Sequence, residues 1–358
     1  MRAHIDRFFA NGPGDTDGLR GALAEGRFAA GDIIAIIGKT EGNGGRNDFS
    51  RELAVRALAD ELAEPLGLSR DAVLDRVIFS FSGGTEGVVS PHYLVVWRTG
   101  IRPSRPVGPK RLAVAAGRTR PFMVPEVGRR PMIEETARVV RQLMAAARVA
   151  PADVHMVQIK GAILPGGEHD GRNNMVYSRA ASALGVGVAL GEFDTGDLSD
   201  ETVARDFSLF SRVASTSAKP GLLRSEIILF GNSPYWEGDL LAAHEVMDDM
   251  VDLAAVGRLL SSLGLGDRLP LPQAASDRLA AVFAKAEADP RMLLRGRRHT
   301  MLTDDDVQDM RYARCVVGAV LAAATGDPAC YVSTRAEHHG PLGGGPVVAI
   351  ARVGEATR

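Results

Sequence analysis

The sequence predicts an α/β protein made of three repeated α/β units around a pseudo-threefold axis with a central site. Three observations carry this expectation. An apolar, strand-like run ends in a lysine at "IIAIIGK" (Lys39), "VHMVQIK" (Lys160) and "LAAVFAK" (Lys285), about 120 residues apart, a period that signals an internal repeat. After each lysine a polar loop with Gly or Pro leads to an arginine that opens an Ala-rich stretch of good helix formers: "SRELAVRALADEL" (Arg51), "SRAASALGVGVAL" (Arg179) and "ARCVVGAVLAAA" (Arg314). The chain then returns to a serine among small residues, in "FSFSGGTEG" (Ser82), "RVASTSAKPG" (Ser217) and "ACYVSTRAEHHG" (Ser333). Fixed positions joined by loops of unequal length imply one shared centre.

In chain order, the first unit (1–98) places a strand up to Lys39, a helix with Ser50 as its N-cap, and the run "VIFSFSGGTEG". That run empties into small residues, as a strand does where something must approach its backbone. Pro, Gly and Arg in "RTGIRPSRPVGPK" interrupt the apolar pattern and mark a boundary. The second unit (108–243) begins before the amphipathic stretch "EETARVVRQLMAAARV", whose apolar spacing suits a helix covering a sheet. A strand to Lys160, a helix capped by Ser178 and the Ser217 strand follow. A second boundary near "LAAHEVMDD" opens the third unit (249–358), with the amphipathic stretch "VDLAAVGRLLSSLG", the Lys285 strand, the Arg314 helix and the Ser333 strand. Strands alternating with helices in each third indicate α/β units. An arginine in a helix's first turn is at the wrong end for the helix dipole, so each arginine needs another reason to be there.

The chain has 358 residues, 45% hydrophobic and 24% charged, with a net charge of -2. That balance excludes a long-range field for nucleic acid or anionic membranes and suits a small neutral or anionic ligand. Arg2, Asp6 and Arg7 break up the start where a secretory segment needs apolar residues, and no run of about 18 apolar residues occurs, so a soluble, cytoplasmic protein is expected. Two cysteines, Cys315 and Cys330, make neither a disulfide framework nor a cysteine-rich zinc site and are expected to be buried free thiols.

A lysine at the end of an apolar strand, close to a guanidinium, is pushed towards its neutral form and becomes a usable general base. A serine hydroxyl becomes a nucleophile when such a base takes its proton. Backbone N–H groups in "SGG", "SAK" and "STR" offer an oxyanion site, and planar arginines polarise carbonyls. A non-catalytic binding module shares the arginines but does not need a neutral lysine. No Gly-rich loop carries a P-loop ending or a G-x-G-x-x-G opening a helix, so no nucleotide site is expected. His338 and His339 are adjacent, point in different directions and suit a solvated or supporting role better than joint zinc ligation. The loop "AEHHGPLGGGP" can wrap backbone carbonyls around a hard cation, with Glu287 completing the shell.

The stretches "GKTEGNGGRNDFSR", "SGGTEGVVSPH", "YSRAASALG", "FAKAEADP", "RGRRHTML" and "YVSTRAEHHGPLGGGPVVAIAR" resemble the ring-opening amidohydrolases, the family of cyanuric acid hydrolase and barbiturase. The resemblance spans nearly the whole chain. It implies a three-unit fold with a central active site, in a homotetramer. It also implies Lys160 as base and Ser217 as nucleophile, with Lys39 and Lys285 as the lysines of the other two dyads. Arg51, Arg179 and Arg314 would hold the ring together with Ser82, Gly83, Ala218, Ser333 and Thr334. A structural magnesium or calcium ion would map to Glu287 and to the carbonyls of Ala336, His339, Gly340, Pro341 and Gly344, while no cofactor is implied for the chemistry. The implied reaction is hydrolytic opening of a cyclic amide or imide: cyanuric acid leads by symmetry, barbituric acid is second, and an unidentified cyclic amide remains open. The segment "KGAILPGGEHDGRNNMVYSR" departs from the Pro-Leu-Leu-Thr type sequence that follows the middle lysine in better-known members. Ser215 and Ser233 are alternative middle-unit nucleophiles.

Overall fold

The computed structural model describes residues 1–101, 103–167, 169–303 and 305–354. The first third folds as β1 (Arg2–Phe9), α1 (Asp17–Ala24), β2 (Ile33–Thr40), α2 (Ser50–Leu66), α3 (Arg70–Arg76), β3 (Ile78–Gly83) and β4 (His92–Thr99). The second contributes β5 (Arg111–Arg118), α4 (Arg130–Ala147), β6 (Val154–Ile163), α5 (Met175–Leu190), β7 (Ala214–Pro220) and β8 (Glu226–Ser233). The last contributes β9 (Leu240–Met247), α6 (Leu253–Ser262), α7 (Gln273–Ser276), β10 (Leu279–Lys285), the short pair β11 (Leu293–Leu294) and β12 (Arg297–Arg298), α8 (Asp309–Thr325), β13 (Tyr331–Ser333) and β14 (Gly345–Arg352).

Each third builds a four-stranded sheet with one topology: β1-β4-β2-β3, β5-β8-β6-β7 and β9-β14-β10-β13. In each, the strand carrying the lysine runs parallel to the strand carrying the serine and antiparallel to β4 or its equivalent in that unit, β8 or β14. The register is conserved through the repeat, because Lys39 lies opposite Ser82, Lys160 opposite Ser217 and Lys285 opposite Ser333. A one-residue slip would turn the serine to the other face of its sheet, so this pairing places lysine and serine side by side in every unit.

Both faces of the sheets are apolar. One face of each contributes to a continuous centre that joins Ile5, Ile37 and Leu94 of the first unit to Val114, Ile159 and Phe230 of the second and Phe283, Tyr331 and Ile350 of the third. The outer faces are covered by each unit's own helices, with Leu58, Leu62 and Val73 over the first sheet and Val256, Leu259 and Leu321 over the third. The three sheets close into a ring: β2 packs on β13, β6 on β3 and β10 on β7, so each lysine strand abuts the serine strand of a neighbouring unit. No helix among the described residues is long and apolar enough to cross a membrane.

Two local expectations change. The first is the helix starts. Ser50 is the first residue of α2, with its Oγ on Asp48 and Thr40, and α5 begins four residues before Arg179 with Asn174 as its N-cap. The Asn174 side chain accepts from the N–H groups of Val176 and Tyr177, whereas Ser178 is buried inside the helix and donates to the carbonyl of Ala162. Arg314 likewise sits in the second turn of α8. The second concerns the unit boundary: β9 spans residues 240–247 and pairs with β14, so the third sheet starts before residue 249. Cys330 is buried and Cys315 partly so, both free, and burial pushes the Cys330 thiol up to about 12.

Candidate active site

The three strand ends meet at the centre. Lys39 Nζ donates to the carbonyl of Val332 at 3.2 Å, and Lys160 Nζ to the carbonyl of Phe81 at 2.5 Å. Val332 and Phe81 each precede the serine of a neighbouring unit, so the lysines reach across the unit joints. Ser82 Oγ also donates to Val332 at 3.3 Å, and Ser217 Oγ makes only a long bond to the carbonyl of Ile159 at 3.4 Å. Lys285 Nζ departs from the cyclic pattern and donates to the carbonyl of Thr334 at 2.8 Å. The three lysines are 1–4% exposed.

Below this layer lies a floor. The amide Nε2 of Gln158 bridges Ser80 Oγ at 3.0 Å and Tyr331 Oη at 3.2 Å, two residues before Ser82 and Ser333 on their strands. Ser215 occupies the same level on β7, opposite Gln158 in the ladder. Ser215 is therefore a floor residue, one layer below Lys160. Ser233 lies at the far end of β8, where its Oγ donates to the carbonyl of Arg148, while Lys160 pairs with Glu226 at the other end. Of the three candidate serines, Ser217 alone stands in register with Lys160.

The arginines have carboxylate partners that the Lys-Arg-Ser reading missed. Arg179 makes two bonds to Glu337, at 2.9 and 2.7 Å, and Arg314 pairs with Glu86 at 3.3 Å, all of them buried. Glu86 also takes Lys39, at 2.6 Å. Arg51 pairs within its own unit, with Asp48 at 3.4 Å and the carbonyl of Gly45 at 2.5 Å. Asp48 packs against Gly83, where a side chain would collide with its carboxylate. Arg314 Nη2 is buried without a hydrogen-bond partner among the described residues, which leaves a donor for an acceptor brought into the site. A sequence signal for the glutamates existed: each lies four residues after its serine, in "SGGTEG" and "STRAEHHG".

This pattern breaks the threefold symmetry in one place. Glu86 of the first unit meets Arg314 of the third, and Glu337 of the third meets Arg179 of the second. The equivalent position in the second unit is Gly221, and among the described residues no glutamate pairs with Arg51. The lysines feel the difference. Burial lowers Lys39 to about 8 against the pull of Glu86. Burial also holds Lys285 well below the usual lysine range, helped by Arg179 and opposed by Glu337 and Glu287. Lys160 is held well below that range by burial and then by Arg51, Lys285 and Lys219, with Glu226 the carboxylate opposing them. For Glu337 burial acts upward, but the charge and bonds of Arg179 bring its carboxyl down to about 2.

The remaining expected residues are also accounted for. Gly83 ends β3, Ala218 follows Ser217 inside β7, and Thr334 Oγ1 donates to the carbonyl of Met310. His338 and His339 are both buried. His338 takes the N–H of Ala204 at 2.8 Å, and His339 takes the N–H of Thr216 at 2.9 Å, so the pair ties the third unit's loop to the second unit and is not solvated. Glu287 accepts the N–H of Ala336 at 3.0 Å, and burial together with Glu337 pushes its carboxyl up to about 7. The carbonyls of Ala336 and Pro341 each accept one backbone N–H, from His339 and Gly344, and keep a second lone pair. Gly340 packs against Gly345, the first residue of β14. After Lys160, β6 continues to Ile163, and Asn173 clamps both backbone groups of Leu164, at 3.0 and 2.7 Å.

Three sheets of one topology around a central set of buried or half-buried lysines, arginines and serines define the class. The chain matches the family described as amidohydrolase ring-opening protein over residues 4–352, and it belongs to that family. The cyanuric acid amidohydrolase of Bradyrhizobium diazoefficiens is 46% identical, covering 98% of each chain. The cyclic amide hydrolase of Azorhizobium caulinodans is 40% identical, covering 98% of this chain and all of its own length. A solved cyanuric acid hydrolase, described as an evolutionary innovation by structural concatenation, superposes with a TM-score of 0.90 at 43% identity over 99% of this chain and 100% of the other.

Proposed function

We propose that the protein opens a cyclic amide ring by hydrolysis, with cyanuric acid as the leading substrate, Ser217 as nucleophile and Lys160 as general base. The observation that carries this reading is the broken symmetry at the second unit. Lys39 is tied to Glu86 at 2.6 Å, and Lys285 has two carboxylates acting on it, whereas Lys160 is surrounded mainly by cations. Burial and that field favour the neutral amine, the form that can take a proton.

In the proposed sequence Lys160 Nζ removes the proton of Ser217 Oγ as the oxygen attacks a ring carbonyl. Arg51 and the backbone N–H groups beside the serines receive the oxyanion. The C–N bond breaks, the proton passes from Lys160 to the departing ring nitrogen, and water then hydrolyses the Ser217 ester through the same base. Near-equivalent Arg and Ser stations suit a ring with three equivalent carbonyls, which favours cyanuric acid over barbituric acid. An unidentified cyclic amide is the further possibility that the altered segment after Lys160 leaves open. A non-catalytic binding module has no use for a lysine held below its usual range.

The oxygen donor set of Glu287 and the loop carbonyls suits a hard cation such as magnesium or calcium in kind. Such an ion would fix the loop that carries Glu337, and no step of the reaction passes through it. The His339 ring is committed to Thr216, so only the carbonyl of that residue is available to the ion.

Purified protein assayed on cyanuric acid, barbituric acid, uracil, hydantoins and succinimide-type rings, with mass spectrometry of the product, tests the reading. Lys160→Ala and Ser217→Ala are each expected to lose roughly a thousandfold or more in kcat. Undiminished turnover by Ser217→Ala would remove Ser217 from the role.

A further inference from the structure

Four residues after its serine the second unit has Gly221 where its sisters have Glu86 and Glu337. Two residues after the serine, Lys219 stands where the first unit has Gly84 and the third Arg335. In the first unit Glu86 folds back over position 84, where a side chain would collide with Glu86 and Lys39. Arg335 turns to Asp309 of its own unit at 2.8 Å, whereas Lys219 crosses to another unit. Lys219 projects from the end of β7 and pairs with Glu52 of α2 at 2.9 Å.

A cavity of about 250 Å³ opens between α2 and β7 and reaches inward to Lys160 and Arg51, with Phe49, Phe81 and Pro220 among its walls. Glu52, Val55, Phe79 and Lys219 also line a second cavity, of about 400 Å³, further out. The Lys219–Glu52 pair therefore stands where the two spaces meet. Cations outnumber anions in the inner space: Arg46, Arg51 and Lys219 face Asp48 and Glu52. Asp48 is fully engaged by Gly44, Ser50 and Arg51, and Arg46 forms no ion pair among the described residues. Lys219 and Glu52 are 39% and 41% exposed, so their pair is a weak one. Glu52 also holds Arg56 at 3.2 Å and keeps a partner when Lys219 turns away. A bare ring held at Lys160 and Arg51 uses the inner end of this space and leaves Arg46 and Lys219 at its other end without a role.

We propose that the cavity is a subsite for a substituent on the ring: a short arm ending in a carboxylate, its apolar part against Phe49 and Pro220 and its charge on Lys219 and Arg46. The substrate class is then a cyclic amide with an anionic arm. This rests on the ring-opening reading above for the position of the ring, while the arm's recognition is a property of the cavity alone.

Three probes separate the two: cyanuric acid, its mono-N-(2-carboxyethyl) derivative and the methyl ester of that derivative. A charge-assisted contact supports a preference of about tenfold or more in kcat/KM for the acid over its ester. Lys219→Arg retains this preference, Lys219→Ala brings the ratio near unity and Lys219→Glu inverts it. The same order is expected for binding of the two derivatives to Ser217→Ala by calorimetry. Turnover of cyanuric acid with no acid-over-ester preference, or a preference unmoved by Lys219→Glu, overturns the subsite and leaves the hydrolase reading standing. Lys219-dependent binding of the acid with no turnover of any probe supports the subsite and sinks the hydrolase reading for these rings. Failure of both derivatives to bind overturns the subsite.

Discussion

Arg51 is the guanidinium for which the repeat's glutamate is replaced, by Gly221, and it is the first charge acting on Lys160 after burial itself. A nearby cation disfavours the protonated amine, so removing it raises the Lys160 pKa. If Lys160 is the base, kcat/KM rises with pH as it loses its proton. Arg51→Gln is then expected to move that rising limb to more alkaline pH, by up to about one pH unit, whatever it does to the plateau. Arg51→Lys, which keeps the charge, should leave the limb near its original place, and pH profiles of the two variants decide the matter. The lysines, arginines and serines were legible in the sequence because they recur in fixed order. The carboxylates were not, although Glu86 and Glu337 recur at the same offset from their serines. A repeat searched only for reactive groups passes over the residues that neutralise them, and here the one missing glutamate, at Gly221, is the informative departure.

The same distinction holds at the scale of elements. Strand ends were readable from apolar runs that finish in lysine or small residues, and the three ladders carry them in identical register. Helix starts were displaced where the cap was not serine. In α5 the working cap is Asn174, which takes two backbone donors, at 3.0 and 3.2 Å. Asn174→Ala is expected to lower stability by about 1 kcal/mol in urea unfolding, whereas Ser178, inside the helix, has no part in capping. Ser178 was a plausible cap from its place before Arg179, but "NNMVYSR" offers an earlier one, and burial of the helix from Ser178 onward favours the longer element. The strand β9 was hidden in a proposed boundary because "LLAAHEVM" mixes apolar and polar residues, and its partner β14 lies about a hundred residues downstream.

Across the whole molecule the joints matter as much as the sheets. His155 on β6 and His244 on β9 bring their Nδ1 atoms to 2.9 Å across the joint of the second and third units, and Asn232 stands 2.7 Å from the far side of His155. Burial pushes each imidazole down to about 4, with the neighbouring histidine acting in the same direction on His244. The unfolded chain binds these protons near pH 6.5, so the joint's contribution is present above that pH and is lost as pH falls towards about 4. Urea midpoints measured from pH 7 to pH 4.5 should fall, and fall less in His155→Asn. This joint was not legible in the sequence, since the two residues lie 89 positions apart and belong to different repeats. Ring closure has a similar long reach. Lys39 rests on the carbonyl of Val332, 293 residues later. During synthesis the first lysine must wait for almost the entire polypeptide before its surroundings exist, because a ribosome that stops short of β13 has not yet made the carbonyl on which Lys39 rests. The first active-site residue to be made is thus among the last to be completed.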